Sequence, residues 1–357
     1  MAKSANKLEI ATSPFAHDGL STRRVMFEVV LATLPLLAAA TYFFGITALV
    51  VVAVTVTGCV AAEWALGSAQ PRGRSLTDGS AVLTGLLLGL TLPPAIPLWM
   101  AFLGGLMAIG LGKAIFGGLG QNPFNPALVG RAFLQAAFPI VMTTWSAPLD
   151  WSADEPGFFN ISPSTLAPPL MRSSVDVVSS ASPLGLAKFE GELTEATSLL
   201  WGQTAGSLGE TAAVLLIIIG LWLGFRRLFD WRLPVATLLS VTVFSGALYL
   251  IDGTAYPSPV FMLLSGGLLF GSVFMVTDPV TTPITAKGAW IFGIGTGFLV
   301  VLIRVFGGLP EGVMYAILLM NSVTPLIERY TQPKPFGYQK PKPETPSSTS
   351  PKGASSK

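Results

Sequence analysis

The 357-residue chain is 51% hydrophobic and only 11% charged, with a mean hydropathy of +0.64 and a net charge of +2. Soluble globular domains carry about 25% charged residues, so this composition excludes a cytosolic enzyme and a disordered chain, and the small net charge gives no argument for nucleic acid. A single cysteine (Cys59) and a single histidine (His17) exclude an internal disulfide framework and a cysteine- or histidine-rich metal centre, which needs about four such ligands.

The first 24 residues are polar and lack the pattern of a cleavable signal peptide. Ten apolar segments follow, at 25–43, 46–66, 79–92, 98–116, 127–143, 211–229, 233–251, 258–276, 288–306 and 311–327. Most approach the ~20 residues that cross about 30 Å of hydrocarbon. The reading is an all-α polytopic membrane protein with ten transmembrane helices. The third segment is short and ends in Pro93-Pro94, so it crosses only if protein surrounds its ends.

With the N-terminus inside, 17 of the 21 lysines and arginines fall on the inner side, three (Arg172, Lys188, Arg304) outside, and Arg131 within a helix. This asymmetry predicts both termini in the cytoplasm and residues 144–210 outside. The chain divides into a cytoplasmic segment (1–24), five helices (25–143), the large outer loop (144–210), five more helices (211–327) and a Pro-, Ser- and Lys-rich tail (328–357) read as disordered. The outer loop carries eight acidic residues and two basic ones, and a loop of that length is usually functional or disordered.

The chain also repeats itself. Gly85-Leu-Leu-Leu-Gly89 recurs as Gly267-Leu-Leu-Phe-Gly271, and Phe116-Gly-Gly-Leu119 as Phe306-Gly-Gly-Leu309, at the similar offsets of 182 and 190. Duplication of a five-helix unit inverts the second copy, because an odd number of crossings reverses it.

Four features carry candidate chemistry. The run Phe116-Gly-Gly-Leu-Gly-Gln-Asn-Pro-Phe-Asn-Pro-Ala127 brings two amides, Asn122 and Asn125, to a broken helix end, where they could bond a heterocycle or simply cap the next helix. In Phe274-Met-Val-Thr-Asp-Pro-Val-Thr-Thr-Pro283, Asp278 is either an ion-path or cofactor contact or a helix terminator; Asp78 reads more readily as an N-cap. Arg131 sits five residues into an apolar helix, and snorkelling to the cytoplasmic edge is the simplest way to relieve it; Arg304 poses the same question. In the outer loop, Val175-Asp-Val-Val-Ser-Ser-Ala-Ser-Pro-Leu184 ends a patterned run on the hydroxyl of Ser182, which Pro183 biases toward an extended, presented backbone.

The motifs at 116–127, 275–283 and 306–313, in this order, resemble the D subunit of the Rnf electron-transport complex over residues 13 to 330. A related family member is the B subunit of the sodium-translocating NADH:quinone oxidoreductase. The resemblance implies two inverted five-helix repeats with a urea-transporter-like fold in a bacterial inner membrane, within a complex that couples electron transfer between ferredoxin and NAD to sodium or proton movement. It also implies FMN held covalently on a hydroxyl of the periplasmic loop, attached by a flavin transferase that recognises a motif matched here by Asp176, Ser179, Ser180, Ala181 and Ser182. The acceptor, usually threonine, is here Ser182. A non-covalent riboflavin is a further family feature, for which Asn122 and Asn125 are the matching pair. Near the N-terminus the family's Ser-Pro-His is here Ser-Pro-Phe, at 13–15, with His17 two positions on.

The chain shows no dinucleotide-binding fingerprint and no cysteine cluster, so other subunits must bring and remove the electrons. Two other readings stand beside this one: the B-type subunit of a quinone-reducing sodium pump, and a redox-free solute channel or transporter.

Overall fold

The computed structural model describes residues 21–67, 76–152, 157–169 and 179–333. Outside the long loop, the helices are, in chain order, α1 (Thr22–Phe44), α2 (Ile46–Leu66), α3 (Ser80–Leu90), α4 (Leu98–Gly112), α5 (Pro126–Ala137), α6 (Ala213–Phe225), α7 (Arg232–Ile251), α8 (Pro259–Leu264), α9 (Ala286–Phe306) and α10 (Val313–Thr331), with shorter turns between them. Five are long and apolar enough to cross a membrane: α1, α2, α4 with its 3₁₀ extension to Phe116, α7 and α9. The protein is a mostly helical, polytopic membrane protein.

Local chemistry sets the helix ends. Ser21 caps α1 by accepting from Arg24 N, and Asn125 caps α5 by accepting from Ala127 N at 3.0 Å, with Pro126 in the first helical position. Asp78 Oδ1 accepts from the backbone and side chain of Ser80, the first residue of α3, but the N-cap position expected for Asp78 is held by Gly79, at φ +81°. The short α3 ends at Leu90, two residues before the expected end of the third segment. The eighth apolar segment, expected as one span, is split. After α8 the chain breaks at Ser265–Gly267, where Gly266 takes φ +60°, and resumes as Leu268–Phe270 and a π-helical turn, Gly271–Met275. The sixth is shorter than expected, at 13 residues.

Glycine lets helices meet backbone to backbone. α2 packs along α4, and α7 along α9. A Cβ on Gly105 would stand 2.5 Å from the Thr55 carbonyl oxygen, and one on Gly297 would stand 2.5 Å from that of Thr237. Such contacts are the general device of membrane helix pairs, which lack a hydrophobic drive between helices.

The long loop is not mere exposed coil. Its described residues form a strand pair, Trp145–Ser146 with Ser179–Ser180, and three short helical turns, Pro183–Gly185, Leu186–Glu190 and Ala196–Trp201. Residues 205–211 are buried, and Leu208 N and Gly209 N donate to the carbonyls of Leu92 and Leu90. Burial keeps those carbonyls from water, so the returning backbone completes the end of α3.

Candidate functional site

A wide surface cleft of about 790 Å³ runs past Phe44, Ala95 and Asn160. Of two more enclosed cavities among the described residues, the larger, about 370 Å³, opens among the long-loop residues, and the smaller, about 90 Å³, lies by the start of α1. At two places sequence neighbours line different cavities. Ala127 lines the smaller and Leu128 the larger; Phe274 lines the smaller and Met275 the larger.

Ser182 lies on the wall of the larger cavity, with Ala181 beside it. It has the extended backbone that Pro183 imposes (φ −68°, ψ 154°), but its side chain is packed rather than presented: the residue is only 6% exposed. Its Oγ accepts from Gly185 N at 3.2 Å, capping the turn that follows. Ser179 and Ser180 pair in register with Ser146 and Trp145, which fixes the segment against the cavity wall. Asp176 lies outside the described residues.

The cavity walls are apolar and aromatic, including Trp145, Phe189 and Phe270. Its floor is charged. Arg131 does not snorkel. Its guanidinium donates to Glu311 Oε2 at 2.7 Å and to Glu210 Oε1 at 3.4 Å, since burial inside the bundle leaves those carboxylates as its nearest stabilising groups. Glu210 can approach because residue 267 is glycine; a Cβ there would stand 2.5 Å from Glu210 Oε1. Arg304 donates to the carbonyls of Met262 and Ser265, at 2.6 and 2.9 Å, where α8 has broken and freed them. Its Nε is buried without a partner. Lys188, from the long loop, donates to the carbonyls of Arg304, Gly307 and Leu309 and so caps the end of α9. Desolvation holds the Lys188 ammonium below the usual lysine range.

The smaller cavity gathers Asn122, Asn125 and Asp278, which the sequence presents in separate motifs. Each is engaged locally. Asn122 accepts from Gly120 N and donates to the Phe124 carbonyl, Asn125 caps α5, and the Asp278 carboxylate accepts from Val280 N and Thr281 Oγ1. At its edge Lys113 Nζ donates to both carboxylate oxygens of Glu63, at 2.8 and 2.9 Å, and to Ser80 Oγ at 2.8 Å. Among the described residues no cluster of His, Cys, Asp and Glu has the spacing to hold a metal.

Sequence reading missed the Glu63–Lys113 pair, and counted Glu210 only among the loop acids. Glu63 carried a signal: a carboxylate within an apolar helix demands a partner. Glu311 carried none apart from its motif.

Residues 9–337 match the model of the NQR2, RnfD, RnfE family. The chain belongs to this family. Among its members, it is 40% identical to the D subunit of the proton-translocating ferredoxin:NAD(+) oxidoreductase complex of Clostridium ljungdahlii, over 93% of this chain and 97% of that one. It is 39% identical to the D subunit of the ion-translocating oxidoreductase complex of Yersinia pseudotuberculosis, over 93% and 99% of the two chains. It is 41% identical to the protein of the same name from Stutzerimonas stutzeri, over 89% and 92%. The three runs that carry the resemblance fall at structural breaks: 116–127 before and into α5, 275–283 from the last residue of the π turn onward, and 306–313 from the end of α9 to the start of α10.

Proposed function

We propose that this chain is the flavin-carrying membrane subunit of an ion-translocating oxidoreductase complex that passes electrons between ferredoxin and NAD. The names of the relatives support the complex. The flavin rests on one observation: Ser182, the last residue of the Asp-x-x-Ser-Ser-Ala-Ser pattern, lines the 370 Å³ cavity. That volume falls in the range of small-molecule sites, about 300–1,000 Å³.

FMN is a planar aromatic ring system with an anionic phosphate, and the cavity's residues suit both parts. Trp145, Phe189 and Phe270 offer apolar faces, and the unspent Nε of Arg304 offers a charged donor. Bound FMN would supply the electron carrier. The protein's own part is to give the Ser182 oxygen for a phosphoester, to shield the ring from water and to keep it beside its redox partner at high effective concentration. Because Ser182 is buried and capping, a flavin transferase would act before the turn at Pro183–Gly185 docks. For a non-covalent riboflavin, the Asn122–Asn125 turn would have to open, since 90 Å³ is below the ligand-pocket range.

We further propose ten crossings of a bacterial inner membrane as two inverted five-helix repeats with a urea-transporter-like fold, both termini cytoplasmic and the long loop periplasmic. The matched α2–α4 and α7–α9 packing and the 17-to-3 basic asymmetry support it. A cytoplasmic signal from a reporter fused near residue 165 would overturn that orientation.

Flavin attachment is read from the denatured protein. With a transferase co-expressed, the wild-type band and that of Ser182→Thr should fluoresce, and that of Ser182→Ala should be dark. Fluorescence surviving in Ser182→Ala moves the site to Ser179 or Ser180, and a dark wild-type band removes covalent flavin altogether.

A further inference from the structure

At the floor of the larger cavity two carboxylates share one guanidinium. Arg131 holds Glu311 Oε2 at 2.7 Å and Glu210 Oε1 at 3.4 Å, while the terminal nitrogens of Arg304 are spent on the carbonyls of Met262 and Ser265. With both carboxylates ionised, the two arginines and two glutamates sum to zero. An anionic group entering the cavity would meet no net positive charge, in a site where low dielectric makes repulsion large. One proton on one carboxylate changes the sum to +1. Glu311 is the carboxylate with access: its side chain is 24% exposed against 5% for Glu210. It also sits in the loop between α9 and α10, flanked by Gly307, Gly308 and Gly312.

We propose that Glu311 is a proton-exchanging carboxyl of the larger cavity, taking a proton from cavity water as negative charge enters and returning it as that charge leaves. The new O–H bond forms on Oε1, so that Oε2 keeps its bond from Arg131 and the floor stays assembled. The proton comes from, and goes back to, the water on the long-loop side. Arg131 faces Glu311 from α5, Glu210 from the segment before α6, Arg304 from α9 and Tyr315 from α10. From the long loop, Glu190 lines the same cavity, and Lys188 braces the loop that carries Glu311 through its carbonyls. Burial pushes the Glu311 carboxyl above the usual carboxylate range and Glu210 adds to the push, against the pull of Arg131 and Arg304. This site does not depend on which group is tethered at Ser182.

Infrared difference spectra of the purified complex, taken between ~pH 5 and ~pH 9, test the proposal through the carbonyl stretch of protonated carboxyls. The expected result is a band that grows as pH falls, moves in heavy water, is lost in Glu311→Gln and remains in Glu210→Gln. A band untouched by Glu311→Gln, or lost only in Glu210→Gln, overturns it. Glu311→Asp keeps a carboxyl one methylene shorter and guards against a Glu311→Gln protein that does not assemble. Its band should persist at a shifted frequency and midpoint, and a band identical to wild type also overturns the proposal. Ser182→Ala should leave the band in place, which separates this result from that of flavin attachment.

Discussion

Arg131 and Glu311 stand 180 residues apart in the chain, yet the Arg131 guanidinium donates to Glu311 Oε2 at 2.7 Å. With Glu210 as its second partner, Arg131 ties α5 to the end of the long loop and to the turn before α10. Burying such a network costs desolvation that its attractions repay only with good geometry, so a well-packed apolar floor would serve stability as well or better. Its purpose is therefore sought in the polar surface it gives the cavity.

Arg131→Gln removes the cation and leaves Glu210 and Glu311 facing each other. Breaking a buried network at one partner typically costs about 3–5 kcal/mol, and thermal unfolding in detergent should read a loss of that order. Arg131→Gln combined with Glu311→Gln and Glu210→Gln should recover most of it, because no unpaired charge remains. A single variant as stable as wild type would mean that water already relieves these charges.

Lys113 and Glu63 make the corresponding contact beside the smaller cavity, with side chains 3% and 4% exposed. Lys113→Met and Glu63→Gln should each lower stability by about 3–5 kcal/mol, and the double variant by less than the sum. The flavin proposed on Ser182 should be unaffected, since Lys113 lines the smaller cavity and Ser182 the larger. A gel band that loses its fluorescence in either single variant would contradict that separation.

At Gly105 a Cβ would stand 2.5 Å from the Thr55 carbonyl oxygen and 2.9 Å from Cys59 N, both backbone atoms of α2. Gly105→Val should therefore force α2 from α4 and cost more than the roughly 1–3 kcal/mol typical of overpacking, read as loss of monodisperse protein. Gly110→Ala on the same helix meets only the Leu66 side chain, at 3.6 Å, and should be tolerated.

The five long apolar helices, the short third run and the capping role of Asn125 were legible because each is local: run length, Pro93-Pro94, and Asn before Pro at a helix start. The break in the eighth run was not. Ser265-Gly266-Gly267 resembles any small-residue stretch of a membrane helix, and only Arg304, some forty residues on, makes the freed carbonyls tolerable. The burial of Ser182 was missed for a similar reason. Pro183 reports the backbone of residue 182 but not its burial, which depends on the fold around cavities that it shares with residues distant in the chain, among them Trp145, Glu210 and Glu311. Arg131 read as a snorkelling cation because its partners are a loop acid and a motif residue, neither within reach in sequence.

The pH dependence of stability gives a separate handle on the cavity floor. The folded Glu311 carboxyl titrates above its unfolded value of 4.5, chiefly because it is desolvated. Between those two values the native protein binds more protons than the unfolded chain, so Glu311 makes stability fall as pH rises through that window. Below 4.5 both states are protonated and this penalty is absent. Each pKa unit of displacement corresponds to about 1.4 kcal/mol. Lys188 acts at the alkaline end with the opposite sign: its folded value lies below 10.5, so stability rises with pH as the native ammonium deprotonates first. Unfolding midpoints followed from mildly acidic to mildly alkaline pH should therefore show a decline that Glu311→Gln flattens and Lys188→Met does not. A decline equally steep in Glu311→Gln would assign that proton to another group, with Glu210 the first to test.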